Sequence, residues 1–123
     1  MVRALVSLVA IVAVIASAAN LAAFEISVKV SPNVVSLDSQ GEVLTVHTNI
    51  AYGAVDGYSV ALDGLEIQSW KSDNQGNFVA KFNLDDVKDM LDPGTVTLTL
   101  TGMTRDGEDF FGSDTIRVIQ PKK

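Results

Sequence analysis

Four groups of side chains carry the polar chemistry of this chain. The first is Asp73-Asn74-Gln75-Gly76-Asn77, where Asp73, Gln75 and Asn77 present oxygens at alternate positions. That spacing echoes the first half of a calcium loop, D-x-[DN]-x-[DN]-G. The glycine precedes Asn77 instead of following it, and no glutamate follows where the twelfth ligand belongs. The same residues are those that tight turns prefer, and the turn is the simpler reading. The second group is Asp106, Glu108, Asp109 and Asp114. Asp106 with Glu108 or Asp109 could meet at a hairpin tip and hold calcium, but such a tip is normally wet, and a carboxylate in water keeps no special acidity.

The third group is His47, alone of its kind in the chain. A lone histidine makes neither a metal site nor a catalytic dyad without partners. G-x-S-x-G, G-x-G-x-x-G and phosphate-loop patterns are missing, as is any zinc spacing, so the expectation is a chain without catalysis or a resident cofactor. The fourth group is aromatic: Trp70, Tyr52 and Tyr58. Exposed aromatics stack on sugars and anchor protein interfaces. Trp70, at a strand end before a polar loop, is the interaction candidate; the alternation of Tyr58, Val60 and Leu62 turns Tyr58 toward the core.

The elements that must position these groups are read from periodicity. Residues Thr95 to Ile119 form two strands joined at Arg105-Asp106-Gly107-Glu108. Val96, Leu98 and Leu100 alternate with threonines, which sends aliphatics to one face and hydroxyls to the other. Phe24 to Val30 reads as the first strand, closed by Ser31-Pro32-Asn33, and Val34 to Leu37 is a short extended piece. Glu42 to Ile50 is a long strand, Ala51 to Gly57 a looser region, and Tyr58 to Leu62 a strand ending at the hairpin pair Asp63-Gly64. Leu65 to Trp70 returns, and Phe78 to Phe82 forms another strand. Asn83 caps a two-turn helix whose Leu84, Val87, Met90 and Leu91 share a face, stopped by Asp92-Pro93-Gly94.

About seven strands spaced by turns, with one short helix, predict an all-β fold: an antiparallel β-sandwich of immunoglobulin-like architecture. Leu44, Val46, Phe78, Phe82, Leu98, Leu100, Ile116 and Val118 are its expected core.

Of 123 residues, 15 are acidic and 9 basic, and there is no cysteine. The acidic balance offers phosphates no basic stripe, which excludes nucleic acid as a partner. Stability must come from packing rather than disulfides.

Charge is unevenly placed. Only Arg3 precedes residue 24, followed by an apolar tract from Ala4 to Ala16 and the A-x-A triplet Ala16-Ser17-Ala18. This is the order of a secretory signal peptide, so residues 1–18 are expected to be removed, leaving residues 19–123 as a β-sandwich domain with fifteen acids against eight bases. The alternative is a retained hydrophobic helix over residues 4–24, long enough to span a bilayer or to pack in the core of a pilin-like filament. In that case alone would the chain touch a membrane.

Three segments resemble a secreted immunoglobulin-like β-sandwich module of archaeal and bacterial extracellular proteins, often found beside dockerin-like or other surface domains. They are Val28-Lys29-Val30-Ser31-Pro32-Asn33 through Ser39-Gln40-Gly41, Val79-Ala80-Lys81-Phe82, and Gly94 to Gly102 through Phe111 to Ile119. In such modules the loop before the Val-Ala-Lys-Phe strand can carry an acidic, glycine-containing turn like a calcium loop. The resemblance implies a non-enzymatic prokaryotic module, secreted or at the cell surface, for interaction or assembly. Its partners would be other envelope or extracellular proteins, or further copies of itself.

Overall fold

The computed structural model describes residues 23–121. The leader expected at 1–18, and residues 4–22 of the alternative helix, lie outside them.

The described residues form two packed sheets. The longest hairpin pairs β9 (Gly94–Thr104) with β10 (Asp109–Ile119) in an unbroken antiparallel register from Asp109↔Met103 to Val118↔Gly94. The threonine–aliphatic alternation sets its faces: Leu98, Leu100, Phe110, Ile116 and Val118 are buried, while Thr95, Thr97 and Thr101 are exposed. Gly107, with φ of 89°, makes the turn, and Thr104 Oγ1 accepts the Glu108 amide at 3.0 Å.

The remaining strands complete two layers. β1 (Phe24–Glu25), β3 (Val34–Ser36), β5 (Val55–Leu62) and β6 (Leu65–Glu66) join β9 and β10, in the order β1-β10-β9-β5-β6 with β3 also on β10. β2 (Val28–Ser31), β4 (Val43–Ala51), β7 (Ser69–Ser72) and β8 (Asn77–Asn83) form the facing sheet, in the order β2-β4-β8-β7. The set β2-β4-β8-β7 opposite β10-β9-β5 is the strand order of an immunoglobulin-like sandwich. All eight expected core residues are buried and belong to one apolar cluster between the sheets. Thr48 is buried beside them, its hydroxyl donating to the Phe78 carbonyl at 2.6 Å.

Several expectations need correction. The strand expected over Phe24–Val30 is two strands in different sheets. β1 lies on β10; the chain crosses at Ile26-Ser27, and β2 lies on β4. Ile26 donates its amide to the Phe111 carbonyl at 2.8 Å, and Ser27 donates its amide to Asn49 Oδ1 at 2.9 Å, which completes the switch. Leu65–Trp70 is divided in the same way between β6 and β7. With β3 counted, seven expected strands become ten among the described residues. The sandwich is also not wholly antiparallel, because β1 and β3 both run parallel to β10.

The region Ala51–Gly57 is not a loose loop. A 3-10 turn over Tyr52–Ala54 leads directly into β5 at Val55. The helix α1 (Leu84–Lys88) is shorter than expected. Asn83 Oδ1 does accept the Asp86 amide at 3.2 Å, but the helix ends before Met90, which is exposed, while Leu91 is buried beyond its end. Asp63-Gly64 forms the expected two-residue hairpin turn, with positive φ at both residues.

Candidate functional site

The most exposed large apolar side chain of the sandwich arises from a break in one strand. Along β5, Val55 pairs with Thr104 and Asp56 with Met103, but the next pair is Ala61 with Thr101. Four residues of β5 therefore oppose Gly102 alone, and the surplus chain bulges outward. The bulge reverses the alternation: Val55 and Gly57 point inward before it, Val60 and Leu62 after it. Tyr58 falls on the outside, 88% exposed. The expectation that Tyr58 faces the core is thus overturned by a local change of register.

Polar contacts hold the bulge. Asp56 Oδ1 accepts the Tyr58 amide at 3.2 Å, and the Ser59 hydroxyl donates to the Asp56 carbonyl at 2.6 Å. Ser59 Oγ also accepts the Met103 amide at 2.8 Å, taking the place of the missing ladder partner.

Trp70 comes from the other sheet. It sits half-buried on β7, an outer strand of its sheet, and its indole lies against Gly57. A Cβ at Gly57 would fall 2.2 Å from Trp70 Cε2, so only glycine lets the ring come this close. The Tyr58 and Trp70 rings meet edge to face, with centroids 4.9 Å apart and planes at 80°. Such a pair is favourable beyond its buried area.

Two open clefts share this pair. One, of about 360 Å³, adds Val55, Asp56, Gly57 and Arg105. The other, of about 320 Å³, adds Gln68 and Ser69. Arg105 is delivered by the β9–β10 turn: its amide donates to the Ala54 carbonyl at 2.9 Å and its Nε to the Val55 carbonyl at 3.3 Å. Among the described residues the one ion pair is Lys88 with Asp85, so Asp56 and Arg105 do not neutralise each other directly.

The interaction candidate Trp70 therefore sits in a site, with Tyr58, Asp56 and Arg105 beside it. Sequence reasoning missed Asp56 and Arg105 and turned Tyr58, which it had singled out among the aromatics, toward the core. A signal for them exists: an isolated glycine, Gly57, inside a strand pattern marks a bulge or a close approach, and here it marks both.

The calcium candidates fall elsewhere. Asp73, Gln75 and Asn77 form the turn between β7 and β8. Asp73 Oδ1 accepts the Gln75 amide at 2.8 Å and the Asn77 amide at 2.9 Å. Asp106 lies in the β9–β10 turn and Asp109 at the start of β10, both exposed. Asp114, further along β10, turns to the other sheet, where Oδ2 accepts the Val30 amide at 2.8 Å. Among the described residues no three acidic or histidine side chains are grouped to hold a metal. His47 is exposed on β4, and Tyr52 stacks on Phe78 with centroids 6.3 Å apart.

The Asn77 amide is the main reason the Asp73 carboxyl is held below its ordinary value; burial opposes it and the Gln75 amide adds to it. A depressed folded-state value means the stabilisation is fully present above the unfolded value of about 4. It is lost as pH falls through the lower folded value. Urea unfolding of the wild type and Asp73→Asn should therefore show a stability difference that is widest near neutral pH and closes in acid. A difference that stays constant with pH would mean the charge plays no part in the turn.

No protein-family model and no curated protein matches the chain. Among solved structures it is similar to the endo-β-1,4-mannanase of Thermotoga petrophila, at 14% identity and a TM-score of 0.48, over 78% of this chain and 20% of the mannanase. It is similar to CopC from Methylosinus trichosporium OB3b, at 11% identity and a TM-score of 0.45, over 80% and 97% of the two chains. It is also similar to a bacterial immunoglobulin-like domain of the M. primoryensis ice-binding adhesin, at 17% identity and a TM-score of 0.45, over 79% and 98%. The chain thus spans about a fifth of the mannanase's length.

Proposed function

We propose that this chain is a non-catalytic recognition module, secreted or displayed at the cell surface, and that the Tyr58–Trp70 corner is its contact surface. One observation carries the reading: a tyrosine 88% exposed packs edge to face with an indole seated on Gly57. An exposed aromatic in solution normally loses rotamer freedom when it binds. One that a neighbouring ring already biases toward one orientation loses less, so more of its contact energy appears as affinity. Aromatic anchors of this kind dominate recognition surfaces. The order of Arg3, the apolar tract and Ala16-Ser17-Ala18 supports export.

The test compares binding of the purified wild-type protein and Tyr58→Ala to isolated cell envelopes of the source organism. Tyr58 lies outside the apolar core, so the variant should still fold, losing no more than the edge-to-face contact with Trp70, about 0.5–1.5 kcal/mol. Envelope binding should fall about tenfold or more, the ordinary consequence of truncating a central anchor. Equal binding by the two proteins would remove this corner from the function.

A further inference from the structure

We infer that the corner takes a neutral glycan, with a sugar ring stacked on Tyr58 and its hydroxyls hydrogen-bonded in the two adjoining clefts. The inference rests on the corner being the recognition surface and adds the class of ligand.

The first argument is the combination of groups. The face of an aromatic ring is the negative side of its quadrupole. The polarised C–H bonds on the flat side of a pyranose meet it favourably. Around the rim stand Asp56 and Arg105 in one cleft and Gln68 and Ser69 in the other. With Oδ1 on the Tyr58 amide, Asp56 keeps Oδ2 as an acceptor, and with Nε on the Val55 carbonyl, Arg105 keeps its two terminal nitrogens as paired donors. Neighbouring hydroxyls of a sugar match both, because each hydroxyl donates and accepts. Gln68 and Ser69 likewise supply donors and acceptors without charge.

The second argument is charge. Asp56 and Arg105 carry opposite charges and are the only ionised groups lining either cleft, so the site as a whole is balanced. The chain carries a net charge of −6, and Asp106 and Glu108 follow Arg105 in its turn. A uronic or sulfated glycan would meet repulsion on approach. A proline-rich peptide also fits aromatic clefts, but its carbonyls only accept, and proline has no amide hydrogen to give Asp56.

The third argument is the pairing of clefts. Both open onto the same two rings. A ligand with repeating rings fills them in succession, so affinity should rise from a monosaccharide to a short oligosaccharide.

Trp70 is the chain's single tryptophan, so its fluorescence reports this corner and nothing else. The protein is titrated with neutral hexasaccharides of glucose, mannose, galactose and xylose. Oligogalacturonate and a proline-rich peptide serve as comparison probes. At least one neutral series should give a saturable change in Trp70 emission, tighter for the hexasaccharide than for its monosaccharide. Tyr58→Ala should weaken it about tenfold or more. Asp56→Asn, which keeps Oδ1 for the Tyr58 amide, should weaken it several-fold.

A response to the peptide or to oligogalacturonate with none to the neutral sugars would overturn the assignment of a neutral glycan while leaving the corner as the binding surface. Silence from every probe, with Tyr58→Ala still abolishing envelope binding, leads to the same conclusion. Silence together with unchanged envelope binding would remove both readings. Sugar binding that Tyr58→Ala leaves intact would place the glycan elsewhere and overturn the inference.

Discussion

Leu98→Ala should lower the unfolding free energy by about 2–5 kcal/mol, the usual range for removing a buried leucine side chain. Thr99→Ala, one residue along the same strand, should cost less than about 1 kcal/mol. Leu98 is 2% exposed and belongs to the cluster that holds Leu44, Val46, Phe78 and Phe82. Its side chain fills space that both sheets enclose, so neighbours collapse only partly into the cavity its truncation leaves. Thr99 points the other way, where its hydroxyl meets Ser113 Oγ at 2.9 Å in an exposed contact. Water replaces that partner at little cost. Urea denaturation of the two variants measures the contrast directly. Similar losses from both would mean that β9 sits one residue out of register, with its faces exchanged.

Gly112→Ala should destabilise the fold by about 1–3 kcal/mol through overpacking. Gly112 does not have a positive φ, so alanine suits its backbone, and the smaller unfolded-state entropy alone would favour the variant by about 0.4–1 kcal/mol. Space decides the sign. A Cβ there would stand 2.7 Å from the Ile26 carbonyl oxygen and 2.7 Å from Val28 Cγ1. The first of these is backbone and cannot rotate away. The segment crossing from β1 to β2 must then move off β10, and the bond from the Ile26 amide to the Phe111 carbonyl must lengthen. Hydrogen exchange at the Ile26 amide should quicken far more than exchange at Leu100. Unchanged exchange at Ile26 would show that the crossing does not depend on this close approach.

The parts of the fold that were legible in the sequence are those fixed by near neighbours. Alternation of threonine with leucine declares a two-faced strand, Asp63-Gly64 declares a two-residue turn, and Asn83 followed by Asp85 and Asp86 declares a helix start. Each depends on residues within a few positions. The parts that escaped depend on contacts far along the chain. Ile26, Val28 and Val30 keep an unbroken alternation across a change of sheet, because each sheet offers an inward face at the right phase. Only Gly112 and Asp114, more than eighty residues later, show where the chain must cross. The candidate site escaped for the same reason. Alternation was extrapolated through Tyr58, while the bulge that turns it outward is visible only from the mismatch with β9. Trp70 was legible as an anchor because it stands alone, but its floor, Gly57, and its neighbour Tyr58 come from a strand of the other sheet.

The two short strands that run parallel to β10 have a mechanical consequence. A pull on the chain through Ala23 and Pro121 drags the beginning of the sandwich and its last strand in opposite directions along their common axis. The amide of Ile26 on the Phe111 carbonyl, the amide of Arg117 on the Asn33 carbonyl, the amide of Leu37 on the Ile119 carbonyl and the amide of Val30 on the Asp114 carboxylate all bridge that line of shear. They take the load together, whereas a hairpin pulled from its open end releases its bonds one after another. A sandwich strung between two anchors in this way resists tension as a lap joint does, and the joint holds until several bonds fail at once.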